Sequence, residues 1–245
     1  MYSSFLTALR TLTVFNLPGK SQDNYAQSLI WFPAIGFFLS LLFWLSVLIF
    51  KTANVVSSEL IAVFILLLSV IFTRGLHLDG LADWADGFFG AYEKNKILAI
   101  MKDTHIGVFG MIALLLIPLI KLISIARLID HNNEMFLFMP FAISRTGMVL
   151  LAVFLPYARS QGTGYNIVTR AKTAHFVAAL MVSALTLYVL LNFTGVAFLS
   201  GGMLFTALLG FWFYKKIGGV TGDLLGASNE IIETLILFFC AILIL

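Results

Sequence analysis

Long apolar stretches alternate with short polar loops along this chain, and that alternation predicts an all-α, polytopic membrane protein. A helix needs about 20 apolar residues to cross a bilayer. The pattern supplies about seven such transmembrane helices, near 28–50, 54–73, 107–129, 135–156, 173–195, 197–215 and 227–245. The last is the weakest, because Glu230 and Glu233 shorten its apolar part. Ahead of them, residues 3–17 set Phe5, Leu6, Leu9, Leu12 and Phe15 at helical spacing, with Arg10 and threonines between. That spacing suits an N-terminal amphipathic helix lying in the interface, too short to span. Residues 74–106 are the longest interruption. Phe88, Phe89, Ile97, Leu98, Ile100 and Met101 make them too apolar for a solvated linker, so one or two short helices packed at the membrane surface are expected. Nothing divides the chain, and residues 1–245 read as a single membrane-embedded domain.

Composition sharpens this picture. The chain is 60% hydrophobic and 11% charged, where a soluble domain carries about 25% charged residues. Its basic residues are scattered, so the pI near 9.0 is no nucleic-acid footprint. The single cysteine, Cys240, excludes a disulfide framework or a cysteine-based metal site. The first apolar stretch ends at Pro18-Gly19-Lys20 with no small-residue cleavage pattern, so no cleavable leader is expected. Lysine and arginine set the orientation. Arg10, Lys20, Arg74, Lys94, Lys96, Lys102, Arg159, Arg170, Lys172, Lys215 and Lys216 fall in the N-terminal arm and the loops on its side. The alternate loops hold Lys51, with Arg127 at a helix end. This asymmetry predicts a cytoplasmic N-terminus, cytoplasmic motif loops and an external C-terminus.

The polar residues that remain are concentrated. Five of the twelve acids lie between Asp79 and Asp103. Asp79, Asp83 and Asp86 recur at i, i+4, i+7, inside an arc of roughly 40–60° on one helical face. Glu93 joins that face if the helix continues. Like charges so close beside a membrane need a counter-charge, and oxygen ligands suit a hard divalent ion, Mg²⁺ or Mn²⁺. A solvated polar loop is the bland alternative. Asp103, at the opening of the third span, is a further candidate ligand. His77 would face away from the aspartates on a continuous helix, which suggests capping or packing; His105 is undecided.

A second polar site is Gly218-Gly219-Val220-Thr221-Gly222-Asp223, leading into Ala227-Ser228-Asn229-Glu230. Glycine-rich backbone before a helix N-terminus can gather N–H groups on an oxyanion, although turns of this kind are common. Lys121 and Arg145 fall mid-span, where a charge costs at least ~3 kcal/mol on insertion scales. Both are expected to face a polar cavity, either paired with acids or binding an anionic substrate. Arg159 serves either as a topology determinant or as a phosphate ligand. Acids for a cation, intramembrane cations and a glycine-rich loop together suggest phosphoryl or nucleotidyl chemistry at the membrane surface.

The motifs resemble those of the cobalamin synthase family, the adenosylcobinamide-GDP ribazoletransferases. The resemblance rests on Gly-Leu-His-Leu-Asp-Gly-Leu-Ala-Asp-x-x-Asp-Gly at 75–87, with Trp84 and Ala85 at the variable positions, and on Met-Lys-Asp-x-x-x-Gly at 101–107. Ser144-Arg145, Tyr157-Ala158-Arg159 and Gly-Gly-x-Thr-Gly-Asp-x-Leu-Gly-Ala at 218–227, with trailing Glu230, follow in order. The resemblance implies a Mg²⁺-dependent transfer. The 5′-hydroxyl of α-ribazole, or of its 5′-phosphate, attacks the cobinamide-side phosphorus of adenosylcobinamide-GDP, and GMP leaves. On that chemistry Asp79, Asp83 and Asp86 would hold metal, with Asp103 or Asp223 completing the set, and one acid would accept the nucleophile's proton. Lys121, Arg145 and Arg159 would neutralise phosphate oxygens, and Gly218, Gly219, Thr221 and Gly222 would bind substrate. Partners beyond substrates and the bilayer, such as a second copy or other corrinoid-pathway enzymes, are left open.

Two other readings compete. A CDP-alcohol phosphotransferase shares the logic of Asp-rich helices at the membrane face, but its Asp-Gly-x-x-Ala-Arg pattern is broken here by Asp83 after Ala82. An ion-coupled transporter would explain intramembrane charges, yet the repeated halves expected of one are not evident.

Overall fold

A computed structural model describes residues 1–53 and 57–243. Ten α-helices occur among them: α1 (Tyr2–Leu12), α2 (Phe32–Ala53), α3 (Ser58–Thr73), α4 (Leu76–Gly90), α5 (Lys94–Ile100), α6 (Val108–Asp130), α7 (Phe138–Phe154), α8 (Tyr165–Val168), α9 (Thr173–Ile217) and α10 (Gly222–Leu243). No strand is formed among the described residues; the only β-type pairing is one bridge between Tyr157 and Val220. The all-α expectation holds. Positions 54–56 and 244–245, where two expected spans begin and end, lie outside the described residues.

Five helical segments are long and apolar enough to cross a membrane, or six if α3 and α4 are taken as one bent span. The number falls short of seven because α9 is 45 residues long and covers two expected spans. As a straight rod it would measure about 68 Å at 1.5 Å per residue, more than twice the ~30 Å hydrocarbon core. It is not straight. Asn192 has φ 53 and ψ −144, a non-helical break. A side chain on Gly195 would meet the Leu187 carbonyl oxygen at 2.6 Å, so the chain doubles back there. Both far ends of α9 then reach one core cluster, through Phe176, Phe213 and Ile217, while Leu187, Leu191 and Leu199 share the other. α9 is thus a helical hairpin of two crossings, as the sequence pattern anticipated.

The two clusters mark the two ends of the bundle. α1 buries Ala8, Leu9 and Leu12 against the first cluster and is pinned by a hydrogen bond from the Trp31 indole to Ser4 Oγ, 3.0 Å. It stops at Leu12, short of the expected residue 17, because Arg10 gathers the following loop: its guanidinium donates to Asn16, Ser21 and the carbonyls of Leu17 and Gly19. At the other end Lys51 pairs with Glu134 at 3.0 Å, joining α2 to the turn before α7.

The 74–106 segment forms two short helices, as expected. Arg74 and Gly75 both adopt left-handed φ, 57° and 66°, and the Gly75 N–H returns to the Val70 carbonyl at 2.9 Å. Two left-handed residues in succession close α3 and turn the chain by 91° into α4. We therefore read α3 as the crossing segment and α4 as a helix lying across its end. α4 ends at Gly90, so Glu93 does not continue its face; it is exposed, 3.9 Å from Lys96.

Candidate active site

Glycine lets α4 and α10 touch. A side chain on Gly80 would stand 2.5 Å from the Asp223 carbonyl oxygen, and one on Gly226 3.2 Å from the His77 Cα. With hydrogen at both positions the backbones come into contact, and the carboxylates of α4 are brought beside Asp223 at the start of α10. A cavity of about 270 Å³ opens along this contact, with Asp79, Asp223, His77, Gly222, Thr163 and Arg74 among its walls.

The loop before α10 is held by its neighbour. Val220 N–H donates to the Pro156 carbonyl and Ala158 N–H to the Val220 carbonyl, both at 2.9 Å. Gly219 lies directly against that Pro156 carbonyl. Thr221 is buried and its hydroxyl accepts the Leu224 N–H at 3.2 Å, capping α10. Gly218 closes α9 with φ 75. Of the four residues expected to bind substrate here, Gly218, Gly219 and Thr221 shape the loop, and Gly222 alone lines the cavity.

Electrostatics single out Asp83. Burial, then the charges of Asp223 and Asp79, push its carboxyl up to about 7, with Arg159 opposing. An ordinary aspartate titrates near ~3.9; burial disfavours the charged carboxylate most, the neighbouring carboxylates add to that, and a bound cation would oppose the shift. Arg159 is committed to Asp223 Oδ2 at 2.7 Å and reaches the Met101 carbonyl at 3.4 Å. Among the described residues no three acidic, histidine or cysteine side chains form a finished metal cage. Mg²⁺ keeps several waters and binds through one or two carboxylates plus substrate phosphates. Asp79, Asp83 and Asp223 offer an oxygen-only donor set of that kind.

The other aspartates have different partners. Asp86 accepts the N–H groups of Gly107 at 2.7 Å and Gly110 at 2.8 Å, one on each oxygen, and so caps α6. Asp103 is exposed and accepts the backbone N–H of His105 at 3.0 Å, with His105 Nδ1 at 2.7 Å. These hydrogen bonds hold its carboxyl below the usual range.

A family model described as cobalamin-5-phosphate synthase matches residues 4–241. The chain belongs to that family. It is 41% identical over 237 residues to a Chlorobium phaeovibrioides protein named adenosylcobinamide-GDP ribazoletransferase, covering 95% of this chain and 94% of that one. A protein of the same name from Chlorobaculum parvum is 40% identical over 248 residues, with 99% and 96% covered. Another, from Syntrophobacter fumaroxidans, is 37% identical over 247 residues, with 97% of each covered. No solved structure matches the chain. Among the three readings of the sequence, the match favours cobalamin synthase.

In this family member the mid-span cations do not face the cavity as phosphate ligands. Lys121 Nζ lies 2.6 Å from both Glu230 Oε2 and Glu233 Oε2. Arg145 pairs with Glu233 Oε1, which also accepts from Ser144 and, at 2.9 Å, from Asn229 Nδ2. All four ionised groups are buried, and their charges sum to zero. Pairing, the other alternative left open by the sequence, is what the structure contains. The sequence shows two cations and two anions inside apolar spans, with Glu230 and Glu233 at i, i+3 on one face, but nothing in it brings them together. Glu233, which the sequence presents only as an acid that shortens the last apolar run, is the group on which both cations converge.

Proposed function

We propose that this chain is an adenosylcobinamide-GDP ribazoletransferase, with α-ribazole or its 5′-phosphate as acceptor and Mg²⁺ as cofactor. The observation that carries the reading is the α4–α10 contact, where Asp79 and Asp223 line a cavity and lie near enough to Asp83 for their charges to raise its carboxyl, in a chain of the cobalamin-5-phosphate synthase family. The acceptor's 5′-oxygen forms a bond to the cobinamide-side phosphorus. The bond from that phosphorus to the GMP phosphate oxygen breaks, and the hydroxyl proton passes to a base. We assign Asp83 and Asp223 to hold the cation and Asp79, the most exposed of the three, to accept the proton. A bound Mg²⁺ supplies charge neutralisation on the diphosphate and on the departing GMP. Arg159 sets the direction of the Asp223 carboxylate through their 2.7 Å pair. Gly222 and Asp223, at the N-terminus of α10, line the cavity, and a helix N-terminus favours an anion.

The test is purified protein in detergent with adenosylcobinamide-GDP, α-ribazole and Mg²⁺, measuring GMP and cobamide. Stoichiometric release of both is expected; EDTA should abolish it, and Mg²⁺ or Mn²⁺ should restore it. Full turnover in metal-free buffer would remove the carboxylate reading. Substrate uptake by sealed vesicles without GMP would favour a transporter.

We also propose that the motif end of the bundle faces the cytoplasm, on the strength of its lysine and arginine excess. With Cys240 buried, cysteines introduced as Lys94→Cys and Lys216→Cys should react with an impermeant reagent from the cytoplasmic side alone, and His131→Cys from the outside alone. Labelling of positions 94 and 131 from one side would contradict an odd number of crossings between them.

A further inference from the structure

The cations expected to meet phosphate are committed elsewhere. Lys121 and Arg145 neutralise Glu230 and Glu233, and Arg159 pairs with Asp223. The cavity wall nevertheless carries two arginines, Arg10 and Arg74, along with Asp79 and Asp223. Neither arginine is ion-paired among the described residues. Arg10 commits its guanidinium to neutral acceptors in the loop after α1. Arg74 donates one hydrogen bond, from Nη2 to the Arg10 carbonyl oxygen at 2.9 Å. The residue is exposed, and the other N–H groups of its guanidinium fork are free to donate.

That bond places the fork where cavities join. Arg10 and Arg74 stand in the walls of both the 270 Å³ cavity and a neighbouring one of about 520 Å³. Arg74, Leu76 and Asp79 also line a third, of about 490 Å³, which reaches Leu114 on α6. Among the described residues Arg74 alone lines all three. The Val14 N–H donates to the Phe72 carbonyl at 2.7 Å, tying the same two segments a second time, so the donor is anchored. The backbone at this position does not call for arginine. Its φ is 57°, a left-handed conformation that glycine or asparagine adopts more readily. A residue needed only to close α3 would be better served by either, so the long cationic side chain is kept for what it reaches.

We propose that Arg74 binds the non-bridging oxygens of the substrate's diphosphate, as the unneutralised fork in a wall that otherwise presents carboxylates. A guanidinium matches two phosphate oxygens at once. Arg10 is a positioning residue, acting on substrate through the carbonyl that orients Arg74. The identity of the ligand rests on the transferase reading.

Binding of inorganic pyrophosphate with Mg²⁺ to the purified protein in detergent tests this without turnover. Arg74→Asn suits the left-handed backbone, so its Tm should stay within about 4 °C of the wild type. Its pyrophosphate affinity should fall about 30-fold, as for loss of a hydrogen bond between charged groups. Arg74→Lys, which keeps the charge without the fork, should lose about 5-fold. In turnover, Arg74→Asn should lower kcat/KM for adenosylcobinamide-GDP about 30-fold and leave the KM for α-ribazole little changed. No pyrophosphate binding by the wild type, unchanged affinity in well-folded Arg74→Asn, or a loss confined to α-ribazole would each overturn the proposal. If Arg74→Asn does not fold, Arg74→Lys decides, and unchanged binding there would overturn it. If pyrophosphate binding depends on Arg74 but the wild type releases no GMP, the transferase reading fails while the anion site stands. GMP release that Arg74→Asn leaves untouched has the opposite meaning.

Discussion

Asp83→Asn should lower turnover at least ~100-fold, a transition-state effect of about 3 kcal/mol, in protein that still inserts and stays monodisperse. The substitution keeps size and hydrogen-bonding capacity but replaces a carboxylate with an amide oxygen, a poorer ligand for Mg²⁺. Asp83 is the group to remove because burial, with Asp223 and Asp79 nearby, pushes its carboxyl up to about 7, so a cation bound there would offset both. A pH dependence follows. Without a cation Asp83 holds its proton below about pH 7, and a cation must displace that proton to bind. Apparent Mg²⁺ affinity of the wild type should therefore fall as pH drops through 7, and Asp83→Asn should flatten that dependence. Asp86→Asn is the contrast. Both Asp86 oxygens cap α6, and an amide can accept at only one of them. Its main effect should be on thermal stability, by about 1 kcal/mol, with kcat at saturating Mg²⁺ little changed. Near wild-type turnover in Asp83→Asn, or a larger rate loss in Asp86→Asn, would show that the wrong carboxylate has been chosen.

Glu233→Leu should be the most destabilising single change in the bundle. Glu233 neutralises Arg145 and shares Lys121 with Glu230, and it accepts from Ser144 and Asn229 as well. Removing it leaves a cation buried without its partner, which costs about 3–5 kcal/mol. Thermal unfolding in detergent should register the loss directly. The paired change Lys121→Met with Glu230→Gln removes one charge of each sign and should cost far less, since an apolar replacement of a whole buried pair is often close to neutral. Equal destabilisation in the two proteins would mean that packing volume, not charge balance, sets the stability of this region.

Most of the fold was legible because lipid imposes a coarse rule. Apolar runs of spanning length are unambiguous, and even the two crossings of α9 were separable by sequence although the helix is broken at a single residue, Asn192. Its cause is a backbone conformation at one position, which hydropathy does not encode. Helical spacing correctly grouped the aspartates on one element, but spacing does not reveal what stands opposite. Asp86 meets α6 backbone, Asp103 turns to His105, and only Asp79 and Asp83 are left beside Asp223. Lys121 and Arg145 were recognised as needing a polar surround. Their partners lie more than eighty residues away on α10, and no local pattern links them. Gly80 and Gly226, which the sequence shows only as motif positions, are where α4 and α10 touch.

The neutral cluster on α10 also constrains how the protein can be built. On insertion scales a charged residue near a helix centre costs about 2.5–3.5 kcal/mol, and α10 carries two acids facing inward, Glu230 and Glu233. It is the least apolar of the five spanning segments. The cations that offset those acids, Lys121 on α6 and Arg145 on α7, are synthesised a hundred residues or so earlier in the chain. α10 therefore enters the bilayer after the cations that offset its acids have been made, and its insertion completes the α4–α10 contact and its cavity.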